Sequence, residues 1–305
     1  MTTRRTSEQL WHTTGSGLVV PGGISSELSL SSTQTVLQIK DKARAIEKLY
    51  NDNSLPLPPT CDLANLIDDA KALSDAWLMD SKDGTVERLR FRITFLDRIA
   101  DAILPLSDVA ERLKYLTILT SGNHDLQQHN RSFAKDILWE LELWSILRRR
   151  SLNATLCEPP DITVVFENST VGIACKKFYS ENNVEKVLSE AVEQIEDKYD
   201  FGILAVNLDD LILPDQILKA PTQEAMRRSI GNLNVAFLHR HERHFRKYLA
   251  SGRLLTALVS TSLLADTYNE KPGFNIARQV TIWAIPGLPQ EKEKQLKRFY
   301  MQLME

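Results

Sequence analysis

The stretch Pro159-Pro160-Asp161-Ile162, followed by Val171-Gly172-Ile173-Ala174-Cys175-Lys176-Lys177, decides how the chain reads. Two short runs rich in β-branched residues, Ile162 to Phe166 and Val171 to Lys176, flank a turn at Asn168-Ser169. That pattern predicts a β-hairpin. Side chains two apart on a strand share a face, so positions 174 and 176 point together while Cys175 faces away. The hairpin sets Asp161 beside them.

Outward from the hairpin, helices alternate with strands. A long helix is predicted from about Asp125 to Arg150, and another from Val184 to about Tyr199. A buried strand follows at Gly202 to Asn207 and a long helix at about Gln223 to Leu249. Strands at Leu254 to Thr261 and Arg278 to Ile285 come next, with a break at Asn269 to Gly273 between them, and a charged helix from Pro289 closes the chain. Alternation of this kind indicates an α/β sandwich around a mixed sheet. Upstream, residues 35–120 read as helical: Val36, Ile39, Ala43, Ile46 and Leu49 keep helix spacing. Asn51 to Pro59 then breaks the pattern, and helices follow at Asp62 to Leu78 and Thr85 to Ile103. Residues 1–34, rich in Ser, Thr and Gly, read as a flexible arm with a short strand at Leu18-Val19-Val20. The expected organisation is an arm at 1–34, a helical region at 35–120 and an α/β domain at 121–305.

The hairpin resembles the signature of the PD-(D/E)XK, or restriction-endonuclease-like, nuclease superfamily, in which Pro-Asp opens one strand and acid-x-Lys lies on the next. Asp161 matches the first acid and Lys176 the lysine, whereas Ala174 stands where the second acid is usual. The resemblance covers about residues 130–210, as helix, hairpin, helix and strand in order. It implies a restriction-endonuclease-like mixed sheet flanked by helices, and hydrolysis of DNA phosphodiesters with Mg²⁺ or Mn²⁺. The metal ligands implied are Asp161, position 174, the main chain at Cys175 and a helix acid. Hard oxygens of this kind suit Mg²⁺, which polarises a phosphate and activates water while the lysine steadies the developing charge.

Two glutamates compete for the helix acid. Glu140 shares a helical face with Phe133, Ile137, Trp144 and Leu147, while Glu142 falls nearly opposite, so Glu140 is the expected one. Gln194, on the helix after the hairpin, takes the place of a glutamine that in related nucleases reaches the active site or the DNA backbone. Three explanations of Ala174 stand open: replacement of a native glutamate, a lineage that lost catalysis and kept binding, or migration of the acid to Glu158 or Glu167. The corresponding function is a DNA endonuclease of restriction or anti-phage defence with a disabled site. The alternative is a non-catalytic nucleic-acid-binding or assembly subunit.

Lys177, Arg227, Arg228, Arg240, Arg243 and Lys247 are the candidate phosphate contacts, the last five on the Gln223 to Leu249 helix, which carries His239-Arg240-His241-Glu242-Arg243-His244-Phe245-Arg246-Lys247. A solvated surface helix accounts for that charge equally well. His241 and His244 are three apart, not the four that HExxH needs, which disfavours zinc. Arg148-Arg149-Arg150 complements a helix C-terminus.

A net charge of -3 excludes a globally basic nucleic-acid binder but not a confined basic groove. Three scattered cysteines give no zinc or disulfide framework. Polar Thr6-Ser7-Glu8-Gln9 follows Arg4-Arg5 where a signal peptide needs an apolar run, and no stretch reaches membrane-spanning length, so a cytoplasmic protein is expected. The partners implied by the resemblance are DNA and a protein of a defence system, with a homodimer as the easiest way to cut both strands.

Overall fold

A computed structural model describes residues 11–13, 19–21, 36–78, 95–126, 128–196, 198–212, 217–269, 274–285 and 288–304. The chain is α/β: a mixed seven-stranded sheet flanked by helices, with a helical N-terminal region. The strands are β3 (Asn153–Leu156), β4 (Ile162–Phe166), β5 (Ser169–Lys177), β6 (Phe201–Asn207), β7 (Ile217–Ala220), β8 (Thr256–Thr267) and β9 (Phe274–Trp283). They lie in the order β3-β4-β5-β6-β8-β7, with β9 along the other edge of β8. β3, β4 and β5 are antiparallel, β5 to β8 run parallel, and β9 returns antiparallel. Every residue of β6 is buried, as expected of a parallel strand covered on both faces.

The helices are α1 (Val36–Asp52), α2 (Asp62–Leu78), α3 (95–103), α4 (Arg112–Leu119), α5 (Phe133–Arg149), α6 (Val184–Ile195), α7 (Gln223–Arg240), α8 (Glu242–Ala250) and α9 (Gln290–Met304). In α5, Leu138, Trp139, Leu141, Leu143 and Trp144 are all buried, so apolar side chains cover the helix all round. Such a helix must be enclosed. One apolar cluster holds it between the sheet and the N-terminal helices, joining Ile46, Leu66, Ile99 and Leu116 to Leu141, Ile173, Ile282 and Phe299. The boundary expected near residue 120 therefore does not separate two cores.

Several element boundaries depart from the sequence reading. α5 begins at Phe133 rather than near Asp125, because side chains capture the preceding backbone. Asp62 accepts from the N–H groups of His124 (2.7 Å) and Asp125 (3.0 Å), and Lys135 Nζ donates to the carbonyls of Gln128 and Asn130. α6 stops at Ile195, where Glu196 turns extended at ψ 136°. The single helix expected over 223–249 is two, because His241 leaves helical geometry (φ -109°, ψ 13°) with its ring 2.6 Å from Glu181. β3 and β7, each four residues long, carry too little periodicity to be read. β8 runs on to Thr267, and β9 lies earlier than expected. The expected strand near the N-terminus is present as Val19–Pro21 (β2), paired with Trp11–Thr13 (β1). The expected helix start at Thr85, most of the arm and most of the 269–273 break lie outside the described residues.

A gap opens on β8 between Ser260, the last partner of β6, and Leu264, the first partner of β7. Asp209 fills it by accepting the Ser262 N–H at 2.7 Å. The polar layer that results lies near the candidate site and decides the fate of several residues in it.

Candidate active site

Asp161 immediately precedes β4, and the register that pairs Ile162 with Ile173 brings it level with Ala174. Its Oδ2 accepts the Cys175 N–H at 2.5 Å and lies 3.9 Å from Lys176 Nζ. Asp161 is thus fixed by the neighbouring strand's backbone and faces one cation.

Glu140 reaches the same place from α5. Burial pushes its carboxyl well above the usual range, and the negative charge of Asp161 adds to that push, with Lys176 opposing. Burial also raises Asp161, held back by Lys176 and the Cys175 N–H. Among the described residues Glu140 makes no hydrogen bond or ion pair. Two desolvated carboxyls, opposed by the charge of Lys176, form a site rich in negative charge. Cys175 is enclosed, and burial drives its thiol well above the ordinary value, so its side chain is inert while its main chain borders the site.

Ala174 has 0% exposure and belongs to the apolar cluster that includes Phe178, Leu188, Val192 and Leu204. A glutamate there would carry a carboxylate into that cluster unless its neighbours moved. Of the two acids considered as its replacement, Glu167 lies at the hairpin turn (φ 54°), paired with Arg298 at 3.0 Å. It is about 20 Å along the strand from Asp161. Glu158 is close enough for its charge to act on both Glu140 and Asp161, and it pairs with Lys114 of α4.

Other expected residues fare differently. Glu142 does not face away from the core: its side chain is 4% exposed, held by Arg98 on one side and Arg278 (2.8 Å) on the other. The face of α5 opposite the sheet is covered by the helical region, which a single-helix projection cannot show. Lys177 is not a surface phosphate contact. Its side chain is 2% exposed, 2.5 Å from Asp210 and 2.7 Å from Asn207 Oδ1. Gln194 is half-buried with Oε1 unpartnered, and no hydrogen bond joins it to Glu140, Asp161 or Lys176 among the described residues.

The basic face of α7 and α8 is largely answered by acids. Arg240 and His241 meet Glu181, His244 and Lys247 meet Glu185, and Arg228 meets Glu224. Arg227 is half-buried, and Arg243 is exposed without an ion pair among the described residues. The two histidines are thus held by glutamates, and no group of three or more His, Cys, Asp or Glu side chains suited to a metal ion occurs among the described residues.

Sequence reasoning missed Lys114 and Tyr115. The ring of Tyr115 lies under Lys114 Nζ at 5.6 Å, and burial, then the nearby charges of Glu140 and Glu158, raises its hydroxyl. No local signal marks them, because an eight-residue helix far upstream meets the hairpin only in the tertiary structure. No helix of the described residues is long and apolar enough to cross a membrane. No family model matches the chain, and no curated protein matches it.

Proposed function

We propose that the chain is a divalent-metal-dependent nuclease of the restriction-endonuclease-like kind, with Glu140, Asp161 and Lys176 at its centre and its site disabled by Ala174. The convergence of Glu140 with Asp161 and Lys176 carries this reading: acids from a helix and a hairpin, 21 positions apart, lie desolvated and opposed by one lysine. The order α5, β3, β4, β5, α6, β6 also supports it, because the resemblance calls for helix, hairpin, helix and strand.

Mg²⁺ takes one or two carboxylates and completes its shell with other oxygens. Glu140 and Asp161, with the Cys175 carbonyl, offer such a set, and burial, opposed by Lys176, raises both carboxyls. Two carboxyls from different elements at one place are what favours the ion. When bound, it would polarise the scissile phosphate and acidify an attacking water. Lys176 donates to a phosphate oxygen, and the Cys175 N–H holds Asp161 in place throughout. DNA as substrate and a role in restriction or anti-phage defence rest on the resemblance alone.

A second reading, a nucleic-acid-binding subunit without cleavage, is favoured by one observation: the full enclosure of Ala174 among apolar side chains. Ala174→Glu, assayed on DNA with Mg²⁺ or Mn²⁺, separates the two. Cleavage that appears with the glutamate and vanishes on adding Lys176→Ala supports the nuclease. DNA binding without cleavage in a folded Ala174→Glu protein supports the subunit. Because the glutamate strains its surroundings, Mn²⁺ binding by the unaltered chain is measured alongside. Binding that survives Asp161→Asn combined with Glu140→Gln would sink the metal site.

A further inference from the structure

α4 belongs to the helical region, yet it borders the candidate site. Lys114 Nζ pairs with Glu158, three residues before Asp161, and lies over the Tyr115 ring. Both members of the ion pair are largely exposed, at 45% and 65% of their side chains. An exposed pair of this kind is worth little and opens readily, so Lys114 can exchange a carboxylate for another anion. Tyr115 is the reverse case, 3% exposed with no hydrogen bond from its hydroxyl among the described residues. A tyrosine hydroxyl is protonated at neutral pH and can donate. A hydroxyl that reaches the surface from an otherwise buried ring, beside a cation with a replaceable partner, suits a phosphate oxygen.

We propose that Lys114 and Tyr115 bind a backbone phosphate of the nucleic-acid substrate at the mouth of the Glu140–Asp161–Lys176 site. This rests on the nuclease reading and deepens it: the helical region supplies part of the substrate contact. Glu158 serves as the counter-ion that Lys114 leaves when substrate arrives.

The test measures binding of short fluorescein-labelled duplex DNA to the full chain across a salt series, with Ca²⁺ present. Unaltered protein, Lys114→Ala, Lys114→Arg and Tyr115→Phe are compared. Lys114→Ala is expected to weaken binding and reduce the slope of log K against log salt by about one, with Lys114→Arg restoring the slope. Tyr115→Phe is expected to weaken binding about 2- to 10-fold without altering the slope, as loss of one neutral hydrogen bond would. Circular dichroism checks that each variant is folded, and a purely structural role for Lys114 would leave the slope unchanged. If the unaltered chain binds and the Lys114→Ala slope equals its own, this inference falls while the nuclease reading stands. If the unaltered chain binds no DNA, both fall together.

Discussion

Glu140 and Glu142 stand two residues apart on α5 and meet opposite fates. Glu142 lies between two guanidinium groups, whereas Glu140 faces another carboxyl and a lysine. Side-chain identity is the same; the neighbours decide. The same logic gives a pH prediction at two other buried groups. Burial pushes His124 down to about 4, against the opposing charge of Asp62 and the nearby Gly122 backbone. Unfolded histidine takes up its proton near its ordinary value of 6.5. The unfolded state therefore binds more protons between those values, and stability falls as pH drops through that window, by about 3 kcal/mol. At Asp209 burial works to raise the pKa, but Arg98, then Lys177 and Arg278, overcome it and hold the group at about 2. Its contribution, about 2 kcal/mol, is present above the unfolded value and is lost as pH falls from about 3.8 to about 2. Urea unfolding at a series of pH values should show both declines, and His124→Leu should flatten only the upper one.

At the scale of elements, close packing around β5 sets the geometry of the hairpin. A Cβ at Gly172 would lie 2.5 Å from the Tyr199 ring, and Gly202 is similarly crowded by Ile195. Gly172→Ala should displace Tyr199, whose hydroxyl lies 3.5 Å from the Pro159 carbonyl just before Asp161. A loss of about 1–3 kcal/mol is expected, as for overpacking generally. A changed near-ultraviolet tyrosine signal should accompany it; an unchanged signal and stability would show that the ring is not wedged there. Long periodic elements such as α1, α2 and the β4–β5 hairpin were legible in the sequence because their apolar spacing is local. β3, β7 and the break at His241 were not. Four-residue strands owe their existence to neighbours, and His241 is held by Glu181, sixty positions away.

Across the whole molecule, a buried ionic layer joins the helical region to the sheet. Arg98 of α3 contacts Glu142 of α5 and Asp209 beyond β6 (2.7 Å), while Arg278 of β9 contacts the same Glu142. Lys177 and Lys135 both contact Asp210, at 2.5 and 3.4 Å. Removing Arg98 takes the 2.7 Å cation from buried Asp209 and leaves Glu142 with Arg278 alone, so Arg98→Ala should cost about 3–5 kcal/mol. Because the apolar cluster is also shared, the loss should appear as one shifted transition by both circular dichroism and tryptophan fluorescence. Two separated transitions would mean that the helical region unfolds by itself.

The α/β class and the Asp161–Lys176 pair on one hairpin were set by the sequence alone, since strand alternation and turn residues act over a few positions. Helical projection also singled out Glu140, which the structure leaves half-buried beside Asp161. Only the tertiary structure decided that Glu142 and Lys177 are buried ion pairs, that Ala174 is enclosed, and that Lys114 and Tyr115 border the site. Burial and charge pairing are properties of surfaces brought together from distant parts of the chain. No local period encodes which surface will cover another.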